Sequence, residues 1–112
     1  MKRLWLCCSC VALAVAILTA ANSAALATWL STGWDDTELS KEACLDRAEA
    51  AIQSAGFRIT QRTEWSRFGV RGEYTVSVRC IPEKKLVFFI GGGPEGEENS
   101  KNNQAVQNNF TK

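Results

Sequence analysis

The chain has 112 residues and no histidine. That absence removes the Ser-His and Cys-His nucleophile arrangements and the common zinc sites, all of which use imidazole as base or ligand. Charge of one sign is also lacking: 13 Lys and Arg stand against 12 Asp and Glu, for a formal net charge of +1. So small an excess sets up no global field that steers the molecule to nucleic acid or to an anionic membrane. No internal repeat recurs along the chain, which excludes solenoid and propeller architectures.

What is present begins with an address. Lys2 and Arg3 form a positive n-region, and from Leu4 to Leu18 Ser9 is the only polar residue besides three cysteines. Ala25-Leu26-Ala27 supplies the small-x-small pattern that a signal peptidase accepts. The reading is a signal peptide over 1–27, cleaved before Thr28 and leaving the rest periplasmic or secreted. The alternative is an uncleaved membrane anchor, since roughly 20 apolar residues span a bilayer; membrane attachment is expected only by that route. Both readings put the remainder across the membrane, because Lys2 and Arg3 stay in the cytoplasm. The alanine-rich end and the absence of a charged stop-transfer flank favour cleavage.

Cysteine usage follows the same logic. Cys7, Cys8 and Cys10 fall inside the leader and leave with it, so they form no metal cluster in the mature chain. Cys44 and Cys80 remain, an even pair in an oxidising compartment, where a disulfide is the expected state. Closing a loop of about 37 residues is worth about 3.8 kcal/mol by chain entropy, a large share of the stability of so short a domain.

All the acidic residues follow the leader, so the mature part has eleven basic against twelve acidic side chains, a formal charge of −1. The signs are segregated: Asp35 to Glu49 sums to −4 and Arg58 to Lys85 to +4. Two solvated faces of opposite sign account for this more simply than an anion site does.

Periodicity predicts a helix over about Lys41 to Ala55. Ser40 is a good N-cap, Glu42 sits where the helix dipole favours an anion, and Gly56 stands at C′. Cys44, Leu45, Ala48, Ala51, Ile52 and Ala55 recur at spacings of three and four and make one apolar stripe. Strands follow: a half-buried one from Phe57 to Arg62, and Gly72 to Ile81, where Tyr74, Val76, Val78 and Cys80 share a face. Pro82 to Lys85 forms a reversal. Leu86-Val87-Phe88-Phe89-Ile90 is a strand apolar on both faces, so its second face needs a cover. The C-terminal segment offers little, since Ala105, Val106 and Phe110 are its apolar residues between Glu97 and Lys112; a frayed end is expected there. Trp29, Leu30 and Trp34 form a short first strand or a packed arm. The expected domains are a signal peptide at 1–27, an α+β domain at 28–98 and a polar tail at 99–112.

Gly91-Gly92-Gly93-Pro94-Glu95-Gly96 satisfies G-x-G-x-x-G, but too few residues follow for the helix, parallel strand and acidic residue of a dinucleotide fold. Three glutamates would also repel a pyrophosphate. A flexible strand-to-tail turn is the reading. Asp35-Asp36 reads as turn and capping residues rather than a carboxylate pair. No catalytic residue, metal ligand or cofactor is assigned, and the expectation is a protein that is not an enzyme. Trp65-Ser66-Arg67-Phe68-Gly69-Val70-Arg71-Gly72 is read as a hairpin loop whose Trp65, Arg67, Phe68 and Arg71 have the composition of a binding surface. The simpler account has the two aromatics folded over the sheet edge. Asn109-Phe110-Thr111 matches the glycosylation acceptor pattern, and the expectation is that the match is chance.

Three segments carry a resemblance: Glu42 to Gly56, Gly72 to Cys80 and Lys85 to Pro94. In combination they resemble small exported bacterial proteins of uncharacterised function, over about half the chain. The resemblance implies a compact α+β exported domain and transfers no catalytic residue. Such relatives carry a more apolar final helix than the asparagine-rich end here. The expected fold is therefore α+β, with one main helix on an antiparallel sheet of three or four strands, a Cys44–Cys80 bridge and a weak C-terminal helix. The expected role is a non-enzymatic binding or interaction protein of the bacterial envelope, its partner another envelope protein or itself. The alternatives are a self-associating module using 86–90 and a small thiol-active or hydrolytic enzyme.

Overall fold

Helix α1 spans Lys41–Ser54 and is built as its sequence demands. Ser40 Oγ accepts the Ala43 N–H at 3.2 Å, satisfying one of the free donors of the first turn. At the other end Gly56 takes φ +88°, its N–H bonding Gln53 O at 2.9 Å while the Phe57 N–H reaches Ile52 O at 3.2 Å. Those paired bonds are the Schellman ending, which needs a left-handed residue at C′. The inward stripe is Cys44, Leu45, Ala48, Ala51 and Ile52.

The computed structural model describes residues 28–112; the signal-peptide reading of 1–27, with Cys7, Cys8 and Cys10, lies outside the described residues. Five strands form one sheet: β1 (Trp29–Asp36), β2 (Arg58–Arg62), β3 (Ser66–Arg71), β4 (Tyr74–Ile81) and β5 (Leu86–Gly93). They lie in the order β1-β5-β4-β3-β2, and every neighbouring pair is antiparallel. A 3-10 turn at Pro82–Lys84 and left-handed Lys85 reverse the chain between β4 and β5. A second helix, α2, covers Gly96–Thr111. Both helices pack on the same face, α1 over β2, β3 and β4 and α2 over β1 and β5.

The fold is α+β as expected, but three or four strands become five and one main helix becomes two. The Trp29–Trp34 arm is a full strand, paired with β5 along its whole length. The segment read as a hairpin loop is strand β3. Its alternation was hidden because the arginines, not the apolar residues, stand on the helix-covered side. Gly91 to Gly93, read as a flexible turn, belong to β5. They serve close approach: a Cβ on Gly91 would lie 2.8 Å from Asn99 Oδ1, and one on Gly93 would collide with the Tyr74 ring.

The segment expected to fray is the continuous helix α2. It holds two apolar anchors, Val106 and Phe110, and otherwise docks through amides. Asn99 Nδ2 donates to Trp29 O and Gly91 O, both at 3.1 Å. Asn103 Nδ2 donates to Ser31 Oγ at 3.3 Å, and Gln107 Nε2 to Asp35 Oδ2 at 2.9 Å. Residues 99, 103 and 107 fall on one helical stripe, so a row of amides replaces the apolar stripe that periodicity looks for. Val87 and Phe89, which needed a cover, are fully buried; the Phe110 ring meets Phe89 edge-on at 5.5 Å.

Cys44 on α1 and Cys80 on β4 form the expected disulfide, with Cα atoms 6.2 Å apart and a sequence separation of 36. The charge segregation is in part self-cancelling: Arg62 Nε donates to Glu49 Oε1 at 2.6 Å, and Lys41–Glu64 and Lys85–Glu38 pair at 3.6 and 3.5 Å. Among the described residues no helix is long and apolar enough to cross a membrane.

Candidate functional site: the uncovered sheet face

With both helices on one side, side chains of the other parity face outward. The strand registers arrange them in rows across the sheet. One row runs Thr32, Ile90, Ser77, Phe68; the next runs Trp34, Phe88, Arg79, Ser66; Leu30 and Thr75 flank Gly92 in a third. An antiparallel sheet with one wet face normally turns polar residues to it. Here Leu30 is 74% exposed, Trp34 63% and Ile90 37%. Trp34 stacks on Phe88, ring centroids 6.5 Å apart and planes 17° from parallel. The result is an apolar ridge at the β1–β5 side of the sheet.

Beside the ridge the floor drops. Gly92, Thr75 and Ser77 are small, and Leu30, Phe68, Arg79 and Ile90 rise around them to enclose a depression of about 350 Å³. Its walls are mostly carbon, with one guanidinium. Among the described residues Arg79 makes no ion pair, so the depression presents an apolar surface with a single cationic corner. Such a surface suits a side chain or short segment that is apolar with an acidic end.

The four residues singled out in 65–72 do not converge. Phe68 stands on the uncovered face. Trp65 sits beyond it at the sheet end, under the Lys41 ammonium 4.6 Å from its ring centroid. Arg67 Nη1 donates to Thr63 O and Ser66 O at 2.9 and 3.0 Å, tying the β2–β3 turn to itself. Arg71 lies on the helix side: Nη1 donates to Ala55 O at 2.7 Å, Nη2 to Asn102 Oδ1 at 2.6 Å, and the guanidinium covers the Phe57 ring at 4.4 Å. One side chain thus closes the C-terminus of α1 and links it to α2 and β3. Losing both bonds is expected to make Arg71→Ala less stable by about 1–2 kcal/mol in a urea titration, with Arg79→Ala, on the bare face, unchanged within error.

No protein-family model matches the chain, and no curated protein does. What the structure supports of the resemblance drawn from the sequence is a compact small domain with one disulfide.

Tyr74, at the start of β4 on the helix-covered side, has its phenol pushed up from the ordinary value by partial withdrawal from water and then by the Glu95, Glu98 and Glu73 carboxylates, so it is protonated at neutral pH. Among the described residues no three His, Cys, Asp or Glu side chains are grouped to hold a metal ion. Leu30, Trp34 and Arg79 are not among the site residues read from the sequence, and Phe88 and Ile90 enter there only within the 86–90 self-association surface. Their signal was available: Leu86–Ile90 is apolar on both faces, and only one helical layer covers it.

Proposed function

We propose that the chain is an exported, non-enzymatic binding protein of the bacterial envelope that takes its partner on the uncovered sheet face. The observation that carries this reading is the placement of Leu30, Trp34, Phe88 and Ile90 together on a face that no element of the described chain covers. Exposed apolar groups in contiguous rows, rimmed by Arg79 and small hydroxyl residues, mark contact surfaces. Export is supported by the leader pattern in 1–27 and by the Cys44–Cys80 bridge, which a reducing cytosol disfavours. Because the two thiols are joined, the thiol-active reading has no nucleophile among the described residues.

Self-association through 86–90 takes one form only. β5 is hydrogen-bonded to β1 on one side and β4 on the other, so the strand has no free edge and would meet a copy through Phe88 and Ile90, face to face. The test of the main reading is affinity capture from an envelope fraction with the protein, its Trp34→Ser/Ile90→Ser variant, and Ala50→Ser on the exposed side of α1 as control. The expected result is a captured protein lost with the double variant and retained with the control. Equal capture by all three would overturn the face as the binding surface.

A further inference from the structure

The two edges of the sheet are defended unequally, and the difference identifies an interface. Edge strand β2 has five residues, begins and ends with arginine, and its register shifts between Ile59 and Gln61. Short length, charge and a bulge are the devices by which natural sheets block pairing at an edge. Edge strand β1 has none of them along most of its length. It has eight residues, keeps an unbroken register with β5, contains no Lys, Arg or Pro, and carries the three most exposed large apolar side chains of the described chain, Trp29, Leu30 and Trp34.

The groups that β1 offers outward follow from the ladder. The Thr37 N–H bonds Lys85 O at 2.9 Å in continuation of the β1–β5 pairing, so odd-numbered residues bond β5 and even-numbered ones present N–H and C=O to the outside. Of these, Trp34 O accepts Gln107 Nε2 at 3.2 Å; that carbonyl has a second lone pair, and Gln107 holds Asp35 Oδ2 as well. Among the described residues, the outward groups of Leu30 and Thr32 have no such side-chain partner.

We infer that β1 pairs antiparallel with β1 of a second copy, about a two-fold axis at Thr32. Two features select a copy as the occupant. First, the strand is self-complementary in this register: Leu30 meets the copy's Trp34, Thr32 meets Thr32, and Trp34 meets Leu30, all on the uncovered side, with about six backbone hydrogen bonds across the axis. Second, the charges fit only this direction. Asp35 and Asp36 close the strand at one end, so a parallel copy would set carboxylate against carboxylate, whereas the antiparallel copy sets Asp35 against Trp29 and Asp36 against Thr28. On the reading that the leader is removed before Thr28, the new α-ammonium group lies opposite Asp36 and completes an ion pair at each end. The product is a ten-stranded sheet whose two bare faces run together.

Analytical ultracentrifugation of the exported protein over a wide concentration range tests this. The expected mass is twice that of the chain, with Leu30, Thr32 and Trp34 amides slowed in hydrogen exchange. Thr32→Pro removes an outward N–H and no bond to β5, and Leu30→Lys places a charge at the seam. Both are expected to give the monomer mass, each with a circular dichroism spectrum and melting temperature showing that it is folded. Ile90→Ser is expected to remain dimeric, because it lies one strand in from the edge. A wild-type protein that is monomeric at every concentration overturns the inference. So does a dimer that survives Leu30→Lys, or one that Ile90→Ser dissolves, which would mean face-to-face stacking; partner capture by a stable dimer would leave the proposed function standing in either case.

Discussion

Reduction of the Cys44–Cys80 bond is expected to lower the melting temperature by roughly 15–30 °C, from about 4 kcal/mol of lost chain-entropy stabilisation in a domain of this size. The bridge closes a loop that contains most of α1, all of β2 and β3 and most of β4. In the unfolded chain that loop would open, and its freedom is what the bond removes. In the folded chain the two sulfurs lie in the centre of the core, with Cys44 and Cys80 each 1% exposed. The measurement is a thermal melt followed by circular dichroism with and without reductant, repeated on Cys44→Ala/Cys80→Ala to separate cleavage from incomplete reduction. A shift of only a few degrees in both would show that the helix is held to the sheet by packing alone. The same experiment bears on location, because a domain that needs its bridge needs an oxidising compartment in which to form it.

The parts of the fold that were legible are those in which each side chain obeys one period. α1 has its Ser40 cap, its stripe and its Gly56 stop all in place; it starts at Lys41 as expected and ends at Ser54, one residue short of expectation. β4 alternates Tyr74, Val76, Val78 and Cys80 inward without interruption, so the two cysteines could be aimed at one core before any geometry was known. The parts that were not legible mix the code. In β3, Arg71 stands on the covered side because its guanidinium lies over the Phe57 ring and at the same time reaches Ala55 O and Asn102 Oδ1; polarity then points the wrong way for a strand. In α2, Asn99, Asn102 and Asn103 are buried, and a helix that docks through amides has almost no apolar moment to detect. The glycine run conceals its purpose in the same manner, since Gly91 is there to admit Asn99 and Gly93 to admit Tyr74.

The candidate surface was half legible for a related reason. Leu86 to Ile90 announces two apolar faces, one carried by Val87 and Phe89 and the other by Phe88 and Ile90. Val87 and Phe89 are the covered ones. Parity assigns Phe88 and Ile90 to the opposite side, where β1 adds Leu30 and Trp34 by pairing with β5, a contact between residues more than fifty positions apart that no local pattern encodes.

Phe110→Ala is expected to cost about 3–5 kcal/mol, the range for deleting a buried ring, and to do so by releasing a helix rather than by leaving a static hole. Phe110 is 3% exposed, touches Phe89 edge-on and carries the Arg47 guanidinium 5.9 Å above its ring. It is the last apolar residue of α2, and the final turn around it, Gln107 to Thr111, is held otherwise by hydrogen bonds: Gln107 Nε2 to Trp34 O and Asp35 Oδ2 at 3.2 and 2.9 Å, Asn109 Nδ2 to Ala51 O at 3.2 Å, and Thr111 Oγ1 to the carbonyls of Gln107 and Asn108. Asparagine and threonine, which make up most of this turn, have poor helix propensity, so the last turn holds its form chiefly while the ring is seated. Without it α2 should fray back toward Val106 and expose Val87 and Phe89 on the face the helices now cover. Hydrogen exchange then separates this from simple cavity formation: amides of 107–111 should lose protection well before those of α1, whereas a rigid cavity would lower all protection together. Phe110→Leu, which keeps an apolar side chain of smaller volume at the site, should recover more than half of the loss in a urea titration; no recovery would show that ring contact with Phe89, and not burial, fixes the end of the chain.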